Sequence, residues 1–108
     1  MAPTRGDVWL FDLGMAGKVR PALVVSVPYG DLDRALVTIV PHTTSLRGSQ
    51  FEIRVTPGFL KPGAFLVQNV ATYPTVRAIR KLGTLSRTDF DHVLLGLLHW
   101  LGYEAERA

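Results

Sequence analysis

At 108 residues and 47% hydrophobic, the chain has the length for one domain, expected over 1–108, with a modest apolar core. Its lack of cysteine excludes disulfides, thiolate metal sites and thiol nucleophiles. No apolar run reaches the roughly 20 residues that cross a bilayer, and Met1 to Asp7 lacks a signal peptide's apolar stretch, so a cytoplasmic protein is expected. The formal charge is only +3 but is unevenly placed. Acids gather at Asp89, Asp91, Glu104 and Glu106, whereas the middle, from Lys18 to Arg87, is basic. Polyanion binding and an ordinary solvated surface both remain open readings of that charge.

Taken in chain order, Asp7-Val-Trp-Leu-Phe-Asp-Leu13 is rich in β-branched and aromatic residues and reads as a strand, with Gly14 to Gly17 as a loop. Pro21 to Val27 lacks polar alternation, as expected of a strand covered on both faces, with proline at its first position. After a turn over Pro28 to Asp33, Ala35 to Val40 forms a third strand that Pro41 stops, and His42-Thr-Thr-Ser45 leads into a loop. Gln50 to Val55 reads as a fourth strand. Two Pro-Gly pairs make Thr56 to Gly63 a turn region before extended Ala64 to Val67, which Gln68 and Asn69 end. Thr72 to Thr75 breaks the chain, and Val76 to Leu85 returns as a short basic strand. Ser86 with Asp89 three residues later resembles a capping box. Phe90, Val93, Leu94, Leu97, Leu98 and Leu101 then fall at helical spacing before Gly102. Strands first and one amphipathic helix last predict an α+β domain, a small antiparallel barrel or sheet packed under the helix.

Most familiar site chemistry is missing. His92 and His99 lie on one helix side without further ligands and read as a solvated pair. No phosphate-cradling glycine loop or serine-nucleophile elbow is present. What remains is Arg20, at the entry to the buried strand, and the hydroxyl cluster Thr43-Thr44-Ser45 at the exit of the third. Arginine plus hydroxyls suits a phosphate that gains charge during reaction. The competing reading makes Arg20 a surface residue and lets the Thr-Thr-Ser turn close its own backbone hydrogen bonds.

Arg5-Gly-Asp-Val-Trp-Leu-Phe-Asp-Leu13, Val19-Arg-Pro-Ala-Leu-Val-Val-Ser26, Val40-Pro-His-Thr-Thr-Ser45 and Lys81-Leu-Gly-Thr-Leu-Ser86 before a terminal helix closely resemble the MazF/PemK toxin family in order and spacing, over nearly the whole chain. The resemblance implies an SH3-like antiparallel β-barrel with a C-terminal helix and a symmetric homodimer. It also implies sequence-selective cleavage of single-stranded RNA, including mRNA, with no metal or other cofactor and an acidic MazE-like antitoxin as partner. By motif it places the catalytic pair on Arg20 and Thr43, with Thr44 as a neighbour. Strand alternation favours packing or a dimer contact for His42, which stays a rival base. Lys18, Arg47, Gln68, Asn69, Arg77, Arg80 and Lys81 are the candidate RNA-binding residues.

Two departures from the family pattern bear on base specificity. The Leu13 to Arg20 loop is short and lacks a Glu-Gln pair ahead of Arg-Pro, and Gln68-Asn69 stands where an acid usually precedes Gln. A gyrase-binding toxin like CcdB would share the fold. Arg20-Pro21, Thr43 and an ending of Glu104-Ala-Glu-Arg-Ala108 in place of Trp-Gly-Ile speak against it. A silent RNA- or antitoxin-binding module is the third reading.

Overall fold

The computed structural model describes residues 2–103; Glu104 and Glu106, part of the acidic C-terminal group, lie outside the described residues. The elements in order are β1 (Asp7–Asp12), α1 (Gly14–Gly17), β2 (Val19–Val24), β3 (Leu36–Thr43), β4 (Glu52–Ile53), β5 (Ala64–Leu66), β6 (Ala71–Pro74), β7 (Ala78–Thr84) and α2 (Arg87–Trp100). Short 3-10 turns at Val67–Asn69 and Thr75–Arg77 flank β6.

All pairings are antiparallel, in the order β4-β5-β3-β2-β1-β7, with β6 added on β3. The SH3-like arrangement of strands and terminal helix is therefore present, but the hydrogen-bonded sheet is open. β6 reaches β7 through the Thr75–Arg77 turn without a ladder between them.

Alternation in β1 sends Val8 to one face and Trp9 and Phe11 to the other, and each face has its own core. Val8, Leu23, Val40, Phe65 and Val67 pack under Phe90, Val93 and Leu97 of α2. Trp9, Phe11, Ala22, Val24, Val37 and Ile39 form the second cluster, flanked by Leu13, Tyr73 and Ala78. Burial on both faces explains the unbroken apolar run in β2. The serine half of the expected capping box forms at α2, with Ser86 Oγ accepting from Asp89 N at 3.1 Å. Gly102, at φ +79°, closes the other end: its N–H donates to His99 O, and Tyr103 N–H donates to Leu98 O. Leu101 lies past the helix end and is exposed. Trp100 meets the Phe51 ring edge-on and His99 meets it at a tilt, with centroids 5.1 and 5.4 Å away.

Several local expectations are corrected, among them the strand over Gln50 to Val55, of which only Glu52–Ile53 pairs. Gly14–Gly17 is a helical turn. Strand β2 begins at Val19, so Arg20 lies inside a strand with Pro21 interior to it. Thr72 to Pro74, within the break expected over Thr72 to Thr75, belong to β6, which pairs with Leu36 to Ile39. Strand β3 runs through Pro41 as far as Thr43. The register explains how proline is accommodated there: β6 pairs up to Ile39 and β5 resumes at His42, so Val40 and Pro41 face no partner on that edge. Proline has no N–H to lose from a ladder there.

Candidate active site

The last pair between β2 and β3 is Ala22 with Pro41. Beyond it, β2 continues to Arg20 paired only with β1, through Phe11, while β3 swings to β5, pairing Thr43 with Ala64. Two prolines, Pro21 and Pro41, stand at this fork, and neither can donate the N–H that would zip it further. The opening is a cavity of about 560 Å³ whose lining includes Arg20, Pro21, His42, Thr43, Thr44 and Ser45. Arg20 also lines a second cavity, about 370 Å³, with Leu13, Pro41, Asn69 and Tyr73.

Thr43 is 7% exposed, and its Oγ1 accepts the Ser45 N–H at 3.0 Å. The turn thus closes a backbone hydrogen bond on itself while leaving the Thr43 proton for another acceptor. His42 lies beside it, 4% exposed, its ring edge-on to Phe65 at 5.0 Å, and its Nε2 is buried without a hydrogen-bond partner. Burial pushes its pKa below the usual histidine value of 6.5, which keeps the imidazole neutral at pH 7. Gly63 permits this packing, because a Cβ there would meet the Thr43 carbonyl and lie 2.8 Å from His42 Cε1. The larger lining also carries Lys61 and no carboxylate, so its field favours an anion.

The remaining sequence candidates scatter. Thr44 is exposed at the cavity, and Asn69 reaches the second cavity beside exposed Gln68. Lys18 follows α1 at φ +57° and leads straight into Arg20's strand. Arg47 sits in the β3–β4 loop, where its N–H and those of Gly48 and Ser49 bond the Glu52 carboxylate at 2.8 to 3.2 Å. Arg77 contacts Asp12, Lys81 pairs with Asp7 at 3.4 Å, and Arg80 is exposed on β7. The cavity residues Phe59, Leu60, Lys61 and Leu82 were not singled out in the sequence. An aromatic ring and a lysine between two Pro-Gly pairs were the available signal. Among the described residues no three His, Cys, Asp or Glu side chains converge where a metal ion could be held. Among the same residues no helix is long and apolar enough to cross a membrane.

An open antiparallel sheet, one terminal helix and a fork lined by arginine and threonine describe a recognised class of small toxin. Residues 4–101 match the PemK-like, MazF-like toxin family of type II toxin-antitoxin systems, and the chain belongs to it. An endoribonuclease from a mycobacterial species, solved in complex with its cognate antitoxin, is similar over 97% of this chain and 100% of its own, at 26% identity and TM-score 0.82. MazF from Deinococcus radiodurans is similar over 94% of this chain and 98% of its own, at 25% identity and TM-score 0.78. The Mycobacterium tuberculosis toxin MazF-mt6 shares the fold, at 22% identity over 92% of this chain and 99% of its own, with TM-score 0.77.

Proposed function

We propose that the chain is an endoribonuclease toxin that cuts single-stranded RNA at the β2–β3 fork, with Arg20 and Thr43 as its catalytic residues. One observation carries the reading: the arginine of β2 and the threonine of β3 line one cationic cavity although their strands have parted. Membership of the toxin family and the similar mycobacterial endoribonuclease support it.

RNA carries its own nucleophile. The 2′-OH attacks the adjacent phosphorus and loses its proton, the bond to the 5′-oxygen breaks, and that oxygen takes up a proton. The products are a 2′,3′-cyclic phosphate and a 5′-OH. The protein must align the three centres and stabilise the extra charge on the phosphorane. Arg20 offers paired N–H groups to the non-bridging oxygens, and Thr43, its hydroxyl oriented by the Ser45 N–H, donates a further hydrogen bond. A guanidinium is a poor base, so the charge contact is its main contribution. No step of this scheme calls on a metal.

The toxin works as a two-fold dimer in the cytoplasm. It is countered by an acidic antitoxin segment laid over the cationic cavity, as charge complementarity favours.

The test is to incubate purified protein in EDTA with long single-stranded RNA and map the ends. Discrete cuts bearing cyclic phosphates are expected, with Arg20→Ala and Thr43→Val each lowering kcat/KM by about 10²- to 10³-fold. RNA left intact across a broad sequence sample would point to a gyrase-binding or silent RNA-binding role.

A further inference from the structure

The 56–63 loop lies against the fork through a specific seat. A Cβ on Gly83 would fall 2.6 Å from Cδ2 and Cε2 of Phe59, so one side of the ring rests on bare β7 backbone. Next to it the β1–β7 register slips: Val8 pairs with Gly83 but Trp9 with Lys81, which makes Leu82 the extra residue of a bulge. Bulges re-aim side chains, and Leu82 joins the cavity wall with Phe59 and Lys61. Phe59 nevertheless remains 37% exposed. Lys61 is exposed and, among the described residues, in no ion pair. A partly bare aromatic ring beside a cation, on the cavity that holds Arg20, has the composition of a stacking site for one nucleotide.

We infer that Phe59 and Lys61 form the subsite for the nucleotide next to the cleaved bond, its base stacked on the Phe59 ring and its outer phosphate held by Lys61. This deepens the ribonuclease reading and rests on it. Because Arg20 lines both cavities, a strand whose phosphate sits on Arg20 has one neighbouring nucleotide on the Phe59 side and the other on the Asn69 and Tyr73 side. The Phe59 side offers a π-face and tolerates any base. Edge reading falls to the Asn69 amide across the arginine.

The experiment walks a single abasic residue along an RNA around its mapped cut, with wild type, Phe59→Leu, Phe59→Trp and Lys61→Gln. Kd is read on the 2′-deoxy analogue, KM and kcat on the RNA. Phe59→Leu is expected to weaken Kd and raise KM about tenfold, with kcat within about twofold. One abasic position beside the cut should cost wild type the same factor and cost Phe59→Leu nothing further. Phe59→Trp should keep full affinity. Lys61→Gln should lower the salt slope of binding by about 0.7 without changing the sequence cut.

Equal abasic penalties in wild type and Phe59→Leu, or a loss confined to kcat, would overturn the subsite while leaving the ribonuclease intact. If Phe59→Leu does not fold, Phe59→Trp and Lys61→Gln still decide, since unchanged salt slope and a weakened Trp variant also overturn it. A wild type that neither cuts nor binds RNA overturns both readings.

Discussion

The Gly-Asp of the opening motif is explained by a single carboxylate. Asp7 Oδ2 accepts from Thr4 N at 3.0 Å, Thr4 Oγ1 at 2.9 Å and Trp9 Nε1 at 3.3 Å, while Oδ1 accepts from Thr84 Oγ1 at 3.0 Å. It clasps the N-terminal turn to β7, away from the cavity. Burial alone would raise its pKa, but hydrogen bonds led by the Thr4 N–H outweigh burial and hold the carboxyl below its usual 3.8. Histidine 42 is also shifted down, here by burial. In both cases the unfolded chain binds more protons in the interval between the two pKa values, so stability falls as pH falls through that interval. Denaturation midpoints measured across pH are therefore expected to decline in two stages, the first beginning below about pH 6.5 from His42 and the second below about pH 4.5, from Asp7 together with Glu52, whose carboxyl its backbone N–H partners hold below the usual 4.5. His42→Leu should abolish only the first stage. Asp7→Asn should shrink the second to the share of Glu52 and cost about 1–3 kcal/mol at neutral pH, because an amide cannot accept from every donor around it. A first stage that survives in His42→Leu would refute the assignment.

At the scale of elements, the β3–β4 connection is organised by a side chain. Three successive N–H groups, from Arg47, Gly48 and Ser49, converge on Glu52. These bonds, led by Arg47, together with the charge of Arg54, hold its carboxyl below the usual range. Glu52→Ala is expected to speed hydrogen exchange at those three amides and expose the loop to proteases, with the amides of α2 unaffected. Unchanged exchange would mean the loop is set by Gly48, at φ +82°, rather than by the carboxylate.

The same clamp shows why this stretch was poorly legible. Gln50 to Val55 carries strand-forming residues, yet only Glu52–Ile53 pairs, because the chain on its N-terminal side is drawn into the loop. Strand β1, the core of β2, and α2 with its Ser86 cap were readable, since alternation, run length and capping are local signals. Proline 41 misled because its tolerance depends on the gap between β5 and β6, a tertiary fact. At the site, Arg20 and Thr43 stood out by motif. The Phe59 seat needs Gly83 and the Leu82 bulge, which no local pattern announces.

Over the whole molecule, the basic side chains in and just before β7 are unequal although close in sequence. Lys81 is committed to Asp7 at 3.4 Å and Arg77 touches Asp12, whereas Arg80 is exposed and has no ion pair among the described residues. The register lays Arg80 beside Leu10, and Leu10 beside Pro21 at the fork. Two strand spacings put Arg80 about 10 Å from the cavity edge, within about one Debye length at ordinary salt. Its charge therefore adds to the positive field at the fork, where the proposed site would take RNA, while Lys81 serves chiefly to complete the Asp7 clasp. Arg80→Gln is expected to lower the salt slope of single-strand binding by about 0.7, with stability and cut sequence unchanged. Lys81→Gln should lower the midpoint of unfolding and change the slope less. The measurement is binding over a salt series beside urea unfolding of both variants. A change in the sequence cut by Arg80→Gln would show that this arginine reads bases instead of attracting phosphate, and would move the RNA path from the fork onto β7.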